Sequence, residues 1–456
     1  MNVPLSRLFH NRVARSVRPD VFSQRRDEVR SIFRRSREVV LLAAATGVAT
    51  GLFVRGLDVA VHAVYDRLFE APLWMLLTAP VSGLLVAALS LRYIGGGISG
   101  STSDEYLQSF HDSQYRLGLR ALVARSVAAI ASLGTGGSLG LEGPSLYGGS
   151  TLGEQIQRRL PAPFRGSDHR TLLVAGAAAG VAAIFKAPAT GAIFALEVPY
   201  RDDLARRMLL PALVASATGY FTFVSLSDTT PLLGGTIIPI PQFEVRDLFG
   251  ALAIGGACAI GARAFAKLIR FAKAFSVRSF PIRIVSASAT LIGLVLLSRE
   301  LTGLPLSLGA GYEVLEEWLF IEADIALWLL IAVFVIRSFA SAATLVGGGV
   351  GGVFIPLVVG GAIVGRAVGE VVHPERFSLY TLIGIAAFLG AGYRVPLAAV
   401  MFVAESTGRP NFIVPALFAA VAAELVMGSN RLLPSSADPA KCDARPVWPA
   451  RPSRPD

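Results

Sequence analysis

A glycine-rich stretch and its second copy constrain this chain more than any other feature of the sequence. The stretch Gly134–Gly153 reads GTGGSLGLEGPSLYGGSTLG and places one carboxylate, Glu142, inside an apolar region. Its spacing Pro-x3-Gly-Gly-x3-Gly begins at Pro144 and returns from Pro356, at an offset of 212 residues. The chain therefore repeats a local design in which a loop of small residues leads into an apolar segment.

A second pair of matches supports the repeat. The pattern Phe194-x-x-Glu197 recurs as Phe402-x-x-Glu405, at an offset of 208 residues. Two matches at nearly equal offsets predict a chain of two related halves. Membrane transporters built on repeats place the substrate where the repeats meet, with broken helices pointing at anionic groups. The simpler alternative is that the glycines only let helices pack closely. Packing alone would not require Glu142, so we favour a site.

The position of Glu142 predicts a role for its charge. Pro144 follows the loop closely and suits a first helical turn, where no backbone N–H is lost. Glu142 is therefore expected at a helix N-terminus, where free amides and the positive end of the helix dipole favour negative charge. We expect the carboxylate and a bound anion to compete for this place.

Composition assigns the chain to the membrane. Of its 456 residues 53% are hydrophobic and 16% charged, and the mean hydropathy is +0.58, which is typical of a polytopic membrane protein. Two cysteines and five scattered histidines predict no disulfide framework, no metal cluster and no cofactor. The net charge of +10 does not indicate nucleic acid, because ten arginines lie within residues 1–38. This positive-inside pattern, with a basic tail, predicts that both termini are cytoplasmic.

The apolar segments divide the chain. Val39–Val54 is the first predicted span, interrupted by Arg55. Leu172–Phe185 and Ala187–Val198 are too short to cross a bilayer and are expected to be partial helices shielded inside the protein. The predicted divisions are a cytoplasmic basic N-terminal segment at 1–38, a first membrane repeat at 39–226, an inter-repeat linker at 227–247, a second membrane repeat at 248–428 and a disordered cytoplasmic tail at 429–456.

Three segments together resemble a known family. LEGPSLYGG, GGVFIP and AGAAAGVAAIFKAPATGAIFALE resemble motifs of the CLC family of chloride channels and chloride/proton exchangers, and the resemblance runs from about Val39 to Met427. It implies an all-α polytopic membrane protein with two inverted-topology repeats and broken, re-entrant helices. It also implies a homodimer in a bacterial inner membrane, with one anion pathway in each subunit and no cytoplasmic CBS domains.

The resemblance also implies site residues. Glu142 matches the family's gating glutamate, and Val353 and Phe354 match a pair whose backbone amides bind the anion. The family's anion-contacting serine corresponds to Ser99 in one register and to Ser101 in another, while a helix-capping role for these serines fits equally well. The predicted anion-binding residues are Ser99, Gly100, Ser101, Gly143, Val353 and Phe354, and the predicted gating and proton residues are Glu142 and Glu197.

The chain departs from the family pattern at positions that bear on proton coupling. Exchangers often carry a second glutamate directly after the position of Glu197, where this chain has Val198. Glu197 is then either a replacement relay or, like its repeat mate Glu405, a cap on a neighbouring helix. The family's late pore tyrosine has no counterpart after Gly428, and Leu141 replaces a basic residue.

These patterns predict transmembrane transport of chloride or similar small monovalent anions, gated by protonation of Glu142 and passive or weakly proton-coupled. The alternative is a tightly coupled chloride/proton antiporter. An intramembrane enzyme using Glu142, Glu197 or Glu405, or a membrane scaffold, is a remote hypothesis, because no His, Cys or Asp cluster lies in any span. The expected partners are chloride or related anions, protons, membrane lipid and a second copy of the chain, without nucleic acid.

Overall fold

Helices make up almost all of the residues that the structure describes. The computed structural model describes residues 19–69, 71–161, 168–200, 204–233, 244–245, 247–321, 324–408 and 413–427. The predicted N-terminal segment up to residue 18, most of the predicted linker and the predicted tail lie outside these ranges. Residues up to Leu42 form one unit, which carries the start of the first helix, and the remainder of the chain forms another.

The first half of the chain contains eight α-helices. They are α1 (Pro19–Phe69), α2 (Leu73–Leu89), α3 (Ser103–His111), α4 (Leu119–Gly134), α5 (Glu142–Arg159), α6 (Arg170–Phe185), α7 (Pro188–Glu197) and α8 (Leu209–Val224). The second half contains α9 (Asp247–Phe275), α10 (Phe280–Thr302), α11 (Leu327–Gly347), α12 (Phe354–Val372), α13 (Phe377–Tyr393), α14 (Pro396–Thr407) and α15 (Ile413–Met427). This count and the list for the second half refer to the described residues.

Many of these helices are long and apolar enough to cross a membrane. Within the described ranges there are 8 such segments, and Arg170–Phe185, Pro396–Thr407 and Ile413–Met427 are shorter apolar helices. The protein is therefore an integral membrane protein. The predicted break of the first span at Arg55 is wrong, because α1 continues to Phe69. Arg55 Nη1 donates to Asp58 at 2.8 Å, and its guanidinium lies 5.7 Å from the Phe223 ring, so the charge is paired within the helix.

The repeated glycines bring helices of each half into backbone contact. A Cβ built on Gly149 of α5 would lie 2.1 Å from the carbonyl oxygen of Gly176 in α6. The repeat mate on α12, Gly361, would meet the carbonyl oxygen of Gly384 in α13 at 2.5 Å. Only hydrogen fits in these places, so the spacing found in the sequence permits the same close helix pair twice.

The two short helices α7 and α14 cap each other. Glu405 at the end of α14 accepts from the backbone amides of Ala189 and Thr190 at 2.9 and 2.7 Å. Glu197 at the end of α7 accepts from Leu397 and Ala398 at 3.2 and 2.9 Å. These amides open α14 and α7 and have no partner within their own helix. The contacts are reciprocal, as an axis relating the two halves requires.

Each half turns sharply before its short helix. Lys186 after α6 and Arg394 after α13 have φ of 51° and 60°, and within the described ranges they are the non-glycine residues with positive φ. This left-handed conformation is uncommon for residues with a side chain. Lys186 pairs with Asp228 at 2.5 Å, and this ammonium holds the pKa of the exposed Asp228 carboxyl well below its usual range.

Candidate functional site

The glycine loops of the two halves meet backbone to backbone. Gly140 donates to the Gly352 carbonyl at 2.9 Å and accepts from the Gly352 amide at 2.8 Å, forming an isolated antiparallel bridge. Position 352 is position 140 shifted by the repeat offset of 212, so the bridge joins equivalent residues. It brings the N-terminus of α5 beside that of α12. Two helix N-termini, each with free amides and a positive dipole end, therefore face one place.

Glu142 occupies this place. It is the first residue of α5, which confirms its predicted position at a helix N-terminus. Its Oε1 accepts a hydrogen bond of 2.6 Å from the backbone amide of Phe354, the first residue of α12. Position 354 is position 142 shifted by 212. A negative charge from one half is thus held by the helix end of the other.

The glycines around Glu142 leave room for its carboxyl group. A Cβ on Gly140 would lie 1.9 Å from Glu142 Oε2, and a Cβ on Gly352 would lie 2.2 Å from Oε1. A Cβ on Gly143 would lie 2.8 Å from the Gly352 amide nitrogen and 2.6 Å from the hydroxyl of Thr102. Any side chain at these three positions would therefore displace the carboxylate or close its surroundings.

Two opposing effects act on the charge of Glu142. Only 4% of the residue is exposed, and burial disfavours a carboxylate. The hydrogen bond from the Phe354 amide favours the charged form. Its second oxygen, Oε2, is buried and has no hydrogen-bond partner among the described residues. Oε1 therefore accepts from a backbone amide, whereas Oε2 has no donor among the described residues and can accept a proton.

The predicted serines Ser99 and Ser101 lie beside the site, and their hydrogen bonds go to residues other than Glu142. The Ser101 hydroxyl donates to Asp104 Oδ2 at 2.7 Å. The Ser99 carbonyl accepts from Arg125 Nε at 3.2 Å. Gly100 packs against the second glycine loop, where a Cβ would lie 3.3 Å from the Gly349 carbonyl oxygen. The hydroxyl of Thr102, which the sequence did not single out, lies beside Gly143 in the first turn of α5.

Val353 and Phe354 lead to a second residue that the sequence missed. Tyr393, at the end of α13, lines the same cavity as Val353. Its ring lies 6.1 Å from the Phe354 ring and 5.5 Å from that of Phe194. A tyrosine therefore lies beside the start of α12 even though none follows residue 428. The sequence contains a signal for this position, because Phe185-Lys186-x-Pro188 recurs as Tyr393-Arg394-x-Pro396 at the offset of 208 residues.

The structure places Glu197 apart from the Glu142 amides. Both of its oxygens accept from the first amides of α14, which is the capping arrangement that the sequence left open. Val198 is buried and continues this segment without an ionisable group. A role for Glu197 in proton transfer has no contact in the structure to support it.

A cavity of about 1040 Å³ leads to the site. Its lining includes the loop that contains Ser99, Gly100 and Ser101, the glycine loop up to Val353, and Tyr393. The charged residues of this lining are Arg92, Asp104, Glu105, Arg116, Arg120, Arg125, Lys273 and Arg283. Six of these eight are basic, so the cavity carries an excess of positive charge beside the start of α12.

Comparison with known proteins identifies related chains. The chain is 28% identical over 366 residues to a putative chloride channel protein ClcB-like of Ralstonia nicotianae, covering 77% of this chain and 82% of the relative. It is 26% identical over 426 residues to the H(+)/Cl(-) exchange transporter ClcA of Vibrio vulnificus, covering 84% and 85%. Among solved structures, a slow cyanobacterial Cl⁻/H⁺ antiporter matches with a TM-score of 0.72 at 22% identity, covering 86% of this chain and 94% of that one.

The structural match confirms the predicted fold of two inverted-topology repeats with broken helices. The model of the voltage gated chloride channel family matches residues 83–428, which is most of the membrane part. The resemblance read from the glycine motifs is thereby confirmed: this chain belongs to the voltage gated chloride channel, or CLC, family.

Proposed function

We propose that this protein exchanges chloride for protons across the membrane, with Glu142 as the coupling carboxylate. The sequence favoured passive or weakly coupled flux and kept tight antiport as the alternative. The relatives and solved structures include proteins named as exchangers and antiporters, which supports the alternative more than the first choice. Passive chloride flux is the competing outcome of the tests below.

One observation carries the proposal. Glu142 Oε1 lies 2.6 Å from the Phe354 amide. Glycines line this position, and the N-terminus of α12 favours a negative group there. A small anion arriving there needs the same amide. The carboxylate and the anion therefore compete directly, and whatever neutralises Glu142 favours the anion. Proton binding and anion binding are then linked by reciprocity.

The proposed cycle follows from this competition. Ionised Glu142 accepts from the α12 amides and closes the path. Protonation removes its charge, which weakens the charge-assisted bonds and releases the side chain, and an anion takes its place at the amides. When the anion leaves, Glu142 loses its proton and returns. Amides and hydroxyls suit a transported anion because they bind through partial charges and still let it go.

Charge asymmetry supports an orientation. Six of the eight charged residues that line the cavity are basic, among them Arg92, Arg120 and Lys273. Cytoplasmic segments carry an excess of basic residues. We therefore propose that the cavity opens to the cytoplasm and that the termini lie on the same side. Cysteine labelling of intact cells at position 92 tests this, since labelling should require a membrane-permeant reagent.

The exchange is tested in sealed vesicles that contain the purified full-length protein. A chloride gradient alone should drive protons uphill, and the proton flux should be proportional to the chloride flux. In Glu142→Gln vesicles, chloride should move without protons and with little dependence on pH, since the amide is always neutral. Chloride flux without uphill proton movement in the wild type would favour passive transport. Absence of any anion flux would refute the proposal.

The homodimer is a separate proposal, which rests on family membership. The mass of the detergent-solubilised particle, measured by light scattering and corrected for detergent, should correspond to two chains. A particle with the mass of one chain would contradict it.

A further inference from the structure

We propose that the cavity binds a soluble anion that carries two or more phosphate groups, and that this anion blocks the path to Glu142 without being transported. The inference rests on the proposed exchange and assigns a regulator to the same path. It is carried by an arginine rim, which we define as the cavity-lining residues Arg92, Arg116, Arg120 and Arg283. None of the four forms an ion pair with a carboxylate of the described residues.

The other charges of the cavity lining are paired with each other. Lys273 Nζ lies 2.7 Å from Asp104 Oδ2, and Arg125 Nη2 lies 2.7 Å from Glu105 Oε1. These side chains are 29% and 11% exposed in the first pair and 2% and 17% exposed in the second. Partly buried pairs are screened little by salt, so each pair largely cancels its own charge. The excess positive charge of the cavity therefore comes from the arginine rim.

Three members of the rim meet at the turn that follows α2. Arg120 of α4 donates through Nε to the Ile94 carbonyl at 2.6 Å and through Nη2 to the Tyr93 carbonyl at 3.3 Å. Arg92 precedes Tyr93 in the chain, and its Cζ lies 5.7 Å from the centre of the Tyr93 ring. Arg116 lies in the loop that leads into α4. Arg92 and Arg120 are thus held against the same short stretch of backbone.

Arg283 joins the rim from the second half of the chain. Its Nε donates to the Val346 carbonyl at the end of α11, at 2.9 Å. A Cβ built on Gly348 would lie 3.0 Å from Arg283 Nη2 and 3.5 Å from Ala88 Cβ. Ala88 lies about one helical turn before Arg92 on the same helical segment. The guanidinium group of Arg283 therefore lies near the α2 segment that carries Arg92.

The rim suits linked phosphate groups better than a single small anion. A guanidinium group presents five N–H donors in a planar fork that matches phosphate oxygens. Arg120 uses its donors on two carbonyls and Arg283 on one, so further N–H groups of both remain available. Pockets of roughly 300–1,000 Å³ enclose drug-sized ligands, so a cavity of about 1040 Å³ has room for an organic or inorganic polyphosphate.

Such an anion cannot follow chloride into the site. A Cβ built on Gly140 or Gly352 would lie 1.9 or 2.2 Å from the Glu142 carboxylate oxygens, so the site has no room for one extra carbon atom beside the carboxylate. A tetrahedral phosphate group is larger than a planar carboxylate and therefore stays in the cavity. Because the cavity leads to the site, an anion held there closes the path on this side.

Binding is tested by isothermal titration of inorganic pyrophosphate into the purified full-length protein in magnesium-free buffer. We expect saturable binding in the wild type. Arg92→Gln should raise the Kd for pyrophosphate by about tenfold or more, because charge-assisted hydrogen bonds are lost. The matched control is Arg299→Gln, which removes the same charge from the other end of α10 and should leave the Kd unchanged.

Blockage is tested by measuring chloride flux in phosphatidylcholine vesicles with pyrophosphate on both sides. Pyrophosphate should lower the flux, and sulfate at the same ionic strength should have little effect because it presents a single group. An equal effect of sulfate, or the same Kd in the wild type and in Arg92→Gln, would overturn the inference. Binding without inhibition would overturn the blockage.

A second set of vesicles with added phosphatidylglycerol separates soluble phosphate from lipid headgroups. Pyrophosphate should inhibit in both sets. If phosphatidylglycerol lowers the flux and pyrophosphate has no further effect, the rim binds lipid headgroups and the inference fails. A wild type that moves no chloride would refute the proposed exchange, whereas the titration would still decide whether the rim binds pyrophosphate.

Discussion

Replacing Glu142 by alanine should raise the affinity of the site for chloride at neutral pH. In the structure Glu142 Oε1 already occupies the Phe354 amide at 2.6 Å, so a free anion must displace it. Alanine has no acceptor and leaves the amide open at every pH. The variant thus removes the proposed tethered competitor and keeps the backbone donors to which the anion is proposed to bind.

The size of the effect follows from the contact that is lost. A hydrogen bond to a charged group contributes about 1.5–3 kcal/mol, and about 1.4 kcal/mol corresponds to a tenfold change in an equilibrium constant. The Kd for chloride in Glu142→Ala is therefore expected to be about ten- to a hundredfold lower than in the wild type near pH 7.5. Near pH 4.5 the wild-type carboxyl group is more often neutral, so the two Kd values should approach each other.

Isothermal titration of chloride into the purified full-length protein, in a gluconate buffer, measures both Kd values directly. Glu142→Gln is the matched variant, because its neutral side chain can still accept from the Phe354 amide and should give a smaller gain. Equal affinities in the wild type and in Glu142→Ala at both pH values would show that the carboxylate and the anion do not share the amide. The competition argument would then fail.

Three further outcomes are expected. Gly352→Ala should displace Glu142, whose Oε1 would lie 2.2 Å from the new Cβ, and flux at neutral pH should rise towards its acid value; unchanged flux would contradict this. Glu197→Gln should lower the free energy of unfolding by about 0.5–2 kcal/mol, as loss of a helix cap does. The ratio of proton flux to chloride flux should stay the same, and a lower ratio would show that Glu197 relays protons. Gly149→Val should prevent folding because a backbone carbonyl cannot move aside, while Gly56→Val, with open space around it, should fold normally in size-exclusion chromatography.

Much of the fold and part of the site could be read from local sequence. Hydropathy, the ends of short helices and the position of Glu142 at a helix N-terminus depend on residues close together in the chain. The repeat offset of 212 also implied that Glu142 and Phe354 are equivalent positions. Arg55 shows where local reasoning failed, because an arginine in a span can be neutralised by Asp58 on the next turn.

The hydroxyl and proton contacts of the site could not be read in this way. Two registers for Ser99 and Ser101 were open, because a hydroxyl's direction depends on what the fold brings beside it, and Ser101 donates to Asp104. The sequence predicted a pore tyrosine only towards the end of the chain, whereas Tyr393 lies at the end of α13 with its ring 6.1 Å from that of Phe354.

The sequence by itself determined the membrane class, the two related halves and the helix end at which Glu142 lies. Hydropathy and glycine spacing are properties of residues close together in the chain. They can therefore be recognised without knowing which distant residues pack against them. Only the tertiary structure decided that Lys273 meets Asp104 across 169 positions of sequence and that Glu197 caps α14. Ion pairs and caps between distant residues depend on how the two halves pack, and the energy of a charge in a membrane protein is set by those partners.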